Sequence, residues 1–163
     1  MKKLHRVSLD ALDVQMLKLL QVDADRPAHV LARALGVSVS TIQRRISSLR
    51  RRGVIERFTA IVRPEAVGRP LFLVIQITLE REDVACVNGF KKLMRETPEV
   101  IECFHVTGEH TFIAIVCLRD MDEFSPFAER IFGADRAVRK FCTSAVIARV
   151  KMNGAIPIVF DAK

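Results

Sequence analysis

Apolar side chains return at helical spacing three times in the first third of the chain. Leu9, Leu12, Met16, Leu19 and Leu20 fall on one side of a helix, with Ser8 or Asp10 to cap it and Asp23 to Arg26 to end it. A second, short helix opens at Pro27, turns Val30, Leu31, Ala34 and Leu35 inward, and closes at Gly36. In the third, Ser38 is the N-cap, Val39, Ile42, Ile46 and Leu49 face inward, and Gly53 is the stop. Val54 to Val62 is rich enough in β-branched residues for a two-stranded wing or a lead-out strand. Three helices and a wing predict a winged helix-turn-helix over residues 1–62.

Arg63 to Pro70 holds two prolines and a glycine and reads as a linker. Beyond it the pattern changes character. Leu71–Leu79 is strand-like, Asp83–Thr97 helical, and Val100–Thr107 and Thr111–Leu118 are strands joined by Gly108-Glu109-His110. Asp120–Phe132 is helical again, and Val138–Lys151 reads as one long last strand. The order βαββαβ predicts a ferredoxin-like domain over residues 71–163, so the chain is α+β, with two helices on one face of an antiparallel sheet. Phe112 to Leu118 is apolar on both faces, which points to dimerisation through the sheet. Ala155 to Phe160 is apolar enough to add an edge strand or cross to a partner subunit.

Charge separates the two halves. Residues 1–63 carry 13 Lys and Arg against 5 Asp and Glu, and residues 64–163 carry 13 against 14. The whole positive excess therefore sits with the third helix, whose polar face has no acidic residue. Hydroxyls at Ser38, Ser40 and Thr41, with free backbone N–H groups, suit phosphate oxygens. Gln43 suits adenine and Arg44 guanine in the major groove of double-stranded DNA. Arg45, Arg51 and Arg52 suit the phosphate backbone or the helix C-terminus, with Ser48 between them, and Arg45 is equally suited to a structural role.

Half of the residues are hydrophobic, with ten Phe and neither Trp nor Tyr, which excludes a disordered chain. The basic start, Met1 to Arg6, leads into Ser8 and Asp10 rather than an apolar run, unlike a signal peptide. The longest apolar run, Phe112 to Leu118, is too short for a membrane span, so a soluble, cytoplasmic protein is expected. Cys86, Cys103, Cys117 and Cys142 lack CxxC spacing, and three lie in strand-like segments as buried thiols would. Cys103 and His105 share a strand face without the further ligands a metal needs. No cofactor motif is present.

Several stretches together resemble the Lrp/AsnC family of bacterial and archaeal transcription regulators over nearly the full length. They are Leu9-Asp10 with Asp13; Leu35 to Ile42 followed by Arg45-Ile46 and Leu49; Gly53-Val54-Ile55; Val67-Gly68; Pro98-Glu99-Val100; and Val106-Thr107-Gly108-Glu109. The resemblance implies an N-terminal DNA-binding domain and a C-terminal domain that forms homodimers or higher even-numbered homo-oligomers. It also implies an effector, usually an amino acid, held between subunits near the turn of Val106, Thr107, Gly108, His110 and Thr111, with Met121 and Thr143 brought near. The chain departs from the family at Pro27 and Val30, in the loop Phe132 to Val138, and at Thr111-Phe112. At the last the family commonly has an Asp before an aromatic, so the carboxylate that helps hold an amino-acid effector is replaced by a hydroxyl and another metabolite is open.

Two other classes are open. An architectural protein would bind DNA independently of any effector, with weak sequence preference and steep salt dependence. A decarboxylase-like enzyme on the same two-domain fold would need catalytic groups, but the carboxylates are scattered and no hydrolase, zinc-protease or nucleotide motif occurs.

Overall fold

Local capping explains where the first helices begin. In the computed structural model, which describes residues 7–133, 137–152 and 154–158, the Asp10 carboxylate accepts the Asp13 N–H at 2.8 Å and opens α1, Ala11–Val22. Pro27, which has no side-chain cap to offer, precedes α2, Ala28–Leu35, and Gly36 closes it at φ 65°. Ser38 Oγ accepts the Thr41 N–H at 3.2 Å and opens α3, Val39–Arg51.

Met16, Leu17, Leu20, Leu31, Ala32, Ile42 and Leu49 make the core of these three helices. Val30 and Val39, expected inward, are 39% and 40% exposed. The reason is geometric. The two-turn α2 buries one narrow stripe, which Ala28, Leu31, Ala32 and Leu35 fill at i, i+3, i+4 and i+7, leaving Val30 outside it, while Val39 is the first residue of α3, at the end of that helix.

The wing expected over Val54 to Val62 does not form. The N–H groups of Val54 and Ile55 both donate to the Leu49 carbonyl, at 2.9 and 3.2 Å, and their side chains pack on the helical core. With those groups spent on closing α3, residues 56–63 run on without strand pairing.

The chain forms two compact units, Met1–Ala60 with Lys151–Lys163, and Ile61–Val150. The final segment, expected to belong with the second domain, thus belongs with the helices. The Gln21 side-chain amide brackets the backbone of Ile156: Ile156 N donates to Oε1 at 2.7 Å, and Nε2 donates to Ile156 O at 3.2 Å. Ile158 packs against the helical core. No strand forms over 154–158; Val159 and Phe160, the basic start at residues 1–6, and residues 134–136 of the divergent loop lie outside the described residues.

In the second unit, after a single 3-10 turn at Pro64–Val67, come β1 Leu71–Leu79, α4 Val84–Glu96, β2 Val100–His105, β3 Phe112–Leu118, α5 Met121–Phe132 and β4 Val138–Ala145. The sheet is antiparallel throughout, in the order β2-β3-β1-β4. β4 stops at Ala145 rather than Lys151: Ala145 pairs with Leu73, two residues from the start of β1, and Val146 N makes a last bond to Phe72 O at 2.9 Å.

Alternation gives the sheet two apolar faces. Leu73, Ile75, Ile77, Leu79, Phe112, Ala114, Val116 and Leu118 pack beneath α4 and α5. On the other face Val74, Ile113 and Ile115 are half-buried and Phe104 is exposed, while the Arg149 guanidinium lies 4.9 Å from the Phe72 ring centre. Cys117 is buried, Cys103 half-buried and Cys142, expected inward, exposed on edge strand β4. No described helix is long and apolar enough to cross a membrane.

Because the tail is bound through one side chain, its role is measurable in place. Gln21→Ala should speed amide exchange in α1 about fivefold, the equivalent of ~1 kcal/mol of lost hydrogen bonding, and leave β1 unchanged. Unaltered exchange in α1 would show that the tail adds nothing to the helical unit.

Candidate nucleic-acid interface and ligand turn

The polar face of α3 is sorted by partners lying more than thirty residues away in sequence. Asp13 on α1 is buried, its side chain only 4% exposed, between two guanidiniums: Arg45 Nη1 at 3.0 Å and Arg52 Nη1 at 3.4 Å. Arg45 also pairs with Asp10, and Arg52 donates to the Ser8 carbonyl. The hydrogen bond from Arg45 holds the Asp10 carboxyl below its ordinary 3.8, and the same bond raises Arg45. Residues 45 and 52 are seven apart, two helical turns, so both reach the same side of α1.

The remaining cations face outward. Arg44 and Arg51 are exposed and, among the described residues, form no ion pair. Arg50 lies 5.8 Å from the Phe58 ring centre. Arg44, Ser48 and Arg51 line a cleft of about 350 Å³ with Asp13, Arg45 and Arg52. At the helix N-terminus Ser38 Oγ is 2.9 Å from Ser40 Oγ and 2.8 Å from Thr41 Oγ1, a cluster of hydroxyls beside the free N–H groups. Gln43 is exposed on the adjoining side. All nine residues singled out for DNA thus sit on one element, but Arg45 and Arg52 spend their charge on α1. Asp10 and Asp13 are the supporting residues that sequence reasoning did not assign; two carboxylates three apart on the neighbouring helix were the available signal.

The turn between β2 and β3 is tied to the end of β1. Val106 N donates to Thr111 O at 3.1 Å, and Thr111 N to Ile77 O at 2.8 Å. The Thr111 hydroxyl donates to Glu82 Oε1 at 2.7 Å and accepts the Leu79 N–H at 3.2 Å, so it is fully used and only 2% exposed. His110 Nδ1 lies 3.4 Å from Thr78 Oγ1. Gly108, at φ 123°, leaves the tip of the turn open, and Thr107 is exposed.

The other two residues tied to the turn are less close. Thr143 pairs with Ile75, two positions before the residue that holds Thr111, and its Oγ1 is buried without a hydrogen-bond partner among the described residues. Met121, 54% exposed, opens α5 at the opposite end of β3. A seven-residue strand separates it from the turn, roughly 20 Å at ~3.3 Å per residue. One chain does not bring Met121 to Gly108.

Residues 9–50 match the AsnC-type helix-turn-helix domain, and residues 73–156 the Lrp/AsnC ligand binding domain. The chain is 39% identical over 154 residues to an uncharacterised HTH-type transcriptional regulator of Sinorhizobium fredii, covering 94% of this chain and 91% of that protein. It is 31% identical over 157 residues to the HTH-type transcriptional regulator AldR of Mycobacterium tuberculosis, covering 96% and 87%. Among solved structures it is similar to a transcriptional regulator of Neisseria meningitidis in complex with L-Met, with a TM-score of 0.86 and 27% identity over 92% of this chain and 97% of that one. An AsnC family transcriptional regulator of Agrobacterium tumefaciens gives 0.85 and 25%, over 91% and 97%.

Breaking the buried network from the acidic side removes the ion pair of Arg52 and leaves Arg45 with Asp10 alone, among the described residues. Asp13→Ala should cost about 2–3 kcal/mol in urea unfolding, below the ~3–5 of a fully buried pair because the two guanidiniums keep roughly a third of their exposure. A loss under about 0.5 kcal/mol would make the network incidental. The lowered Asp10 carboxyl contributes stability above pH 3.8 that disappears as pH falls through its depressed value, so Asp10→Asn and the parent chain should converge in acid.

Proposed function

The chain belongs to the Lrp/AsnC family of ligand-modulated transcription regulators, and we propose that it reads double-stranded DNA through the part of α3 that the α1 carboxylates leave free. The observation that carries this reading is the division of the arginines. Gln43 and Arg44 reach base edges, Arg51 and Ser48 meet the phosphate backbone, and Ser38, Ser40 and Thr41 bind phosphate at the helix start. Arg45 and Arg52 hold α3 against α1 and touch DNA only with the N–H groups left over. The role is regulatory rather than catalytic, and it is exercised in the cytoplasm.

Two copies pair through the open sheet face, where Val74, Ile113 and Ile115 are half-buried on a surface without helices. A dimer, or a higher even-numbered assembly of dimers, presents two α3 helices to major grooves about one helical turn apart. The effector site is the turn at Val106, Thr107, Gly108 and His110. Met121 and Thr143 join it from a neighbouring subunit, which accounts for the distance between Met121 and the turn within one chain. An amino acid or a related small metabolite is the ligand class, in keeping with the L-Met bound by the Neisseria relative. Its binding shifts the assembly and so the DNA affinity.

One observation favours a second reading. Thr111 is buried and its hydroxyl is occupied, so the turn offers no carboxylate to an α-ammonium group at that position. An effector-independent architectural protein fits that fact. Binding to the gene's own upstream duplex and to a random duplex, at two salt concentrations and with and without pooled amino acids, separates the two. Selective binding that responds to the pool supports the regulator; equal, steeply salt-dependent binding that ignores the pool supports the architectural protein.

Arg44→Ala should weaken binding to the upstream duplex by about tenfold or more and affect random DNA far less; equal losses would reduce Arg44 to a phosphate contact. Ile115→Lys should yield monomers by light scattering, because a charge on the paired face has no partner. A dimer that persists would move the interface elsewhere.

A further inference from the structure

A cleft of about 360 Å³ lies between α4 and the edge strand β2, on the helix-covered side of the sheet and away from the tip of the 106–111 turn. Its volume falls at the small end of the ~300–1,000 Å³ typical of small-molecule sites. At its floor the exposed His105 ring stacks on Phe112 with centroids 4.9 Å apart, and Phe112 and Met94 are buried beneath. Two cations stand on one wall. Lys91 and Arg95 are four residues apart on α4 and so share a face. Lys91 is half-buried, Arg95 exposed, and among the described residues neither forms an ion pair, whereas the neighbouring Lys92 reaches Glu96 at 3.9 Å. Glu102 on β2 borders the cleft, but it pairs with Ile115, so its side chain belongs to the opposite, helix-free face.

An apolar floor beneath two cations suits a small anion with a greasy body. We propose that this cleft is a ligand site for small carboxylates carrying an aromatic or branched aliphatic group, with Lys91 and Arg95 holding the carboxylate and the body lying on Phe112, Met94 and His105. With the Glu102 carboxylate turned to the other face, the cleft is positive, which favours the anion. A ligand that also carries an ammonium group brings a charge these cations repel, so the plain acid is the better fit. This site is separate from the effector turn and stands or falls independently of it.

Calorimetric titration of the full-length protein with 3-phenylpropionate, 3-phenylpropionamide and phenylalanine tests the assignment. The acid should bind with one site per chain, and the amide, which has the same body without the charge, about tenfold more weakly or worse. Lys91→Gln/Arg95→Gln, a change at partly solvated positions that leaves the core intact, should weaken acid binding by about the same factor, while Thr107→Ala/His110→Ala at the turn should not. Phenylalanine, whose ammonium group meets two cations and no carboxylate on this face, should bind more weakly than the acid; tighter binding of phenylalanine overturns the charge assignment. Equal binding of acid and amide, binding that survives in the Lys91/Arg95 variant, or binding lost only in the turn variant overturns the site, as does absence of acid binding. The turn reading is judged separately by the effect of the turn variant on pool-dependent DNA binding.

Discussion

A carboxylate taken out of water must be paired, and the Asp13 carboxylate is paired by Arg45 of α3 and by Arg52 at its C-terminal end. Desolvating it alone would cost several kcal/mol, so the fold is stable only with Arg45 and Arg52 turned toward α1. Those two contacts, with Ile42, Ile46 and Leu49 packed below, fix the rotation of α3 about its axis. Once it is fixed, the outward residues follow. The Arg50-Arg51-Arg52 run divides three ways, one over an aromatic ring, one free on the cleft and one on Asp13. The stability of the helical unit and the chemistry of the outward face of α3 are therefore set by the same charges.

The second unit meets a different constraint. Four strands and two helices cover only one sheet face, and the other retains aliphatic side chains that a single chain leaves partly in water. Under the proposed pairing, a second copy covers that face. Thr111 serves the single chain: its hydroxyl fastens the 106–111 turn to β1, which leaves Thr107, Gly108 and His110 as the accessible part of that turn.

The chain passes from the helical unit to the sheet unit and back. Residues 151–158 return to α1, where Gln21 satisfies both backbone groups of Ile156. Change in the sheet unit thus has two covalent routes to the helices, one through residues 60–61 and one through residues 150–151.

Caps, helical periods and strand alternation are local, so α1, α2, α3 and the βαββαβ order were legible from the residues alone, as was the confinement of positive charge to the first third. The same local rules erred wherever an outcome needed a distant partner. Val54 to Val62 had the composition of a wing, but its first N–H groups went to Leu49; β4 had the composition to reach Lys151, but its pairing with β1 stopped at Leu73. Val30 and Val39 obeyed a period while the width of the buried stripe was set by neighbouring helices. Four arginines on α3 and a fifth at its C-cap look alike in sequence, and only tertiary contact with Asp13, 32 and 39 positions away, separates the anchors from the cations without an ion pair among the described residues. Sequence determined the elements and the class of partner, because these depend on side-chain type at short range. Tertiary structure decided which charged and polar groups remain available to bind, because that depends on which of them folding has already used.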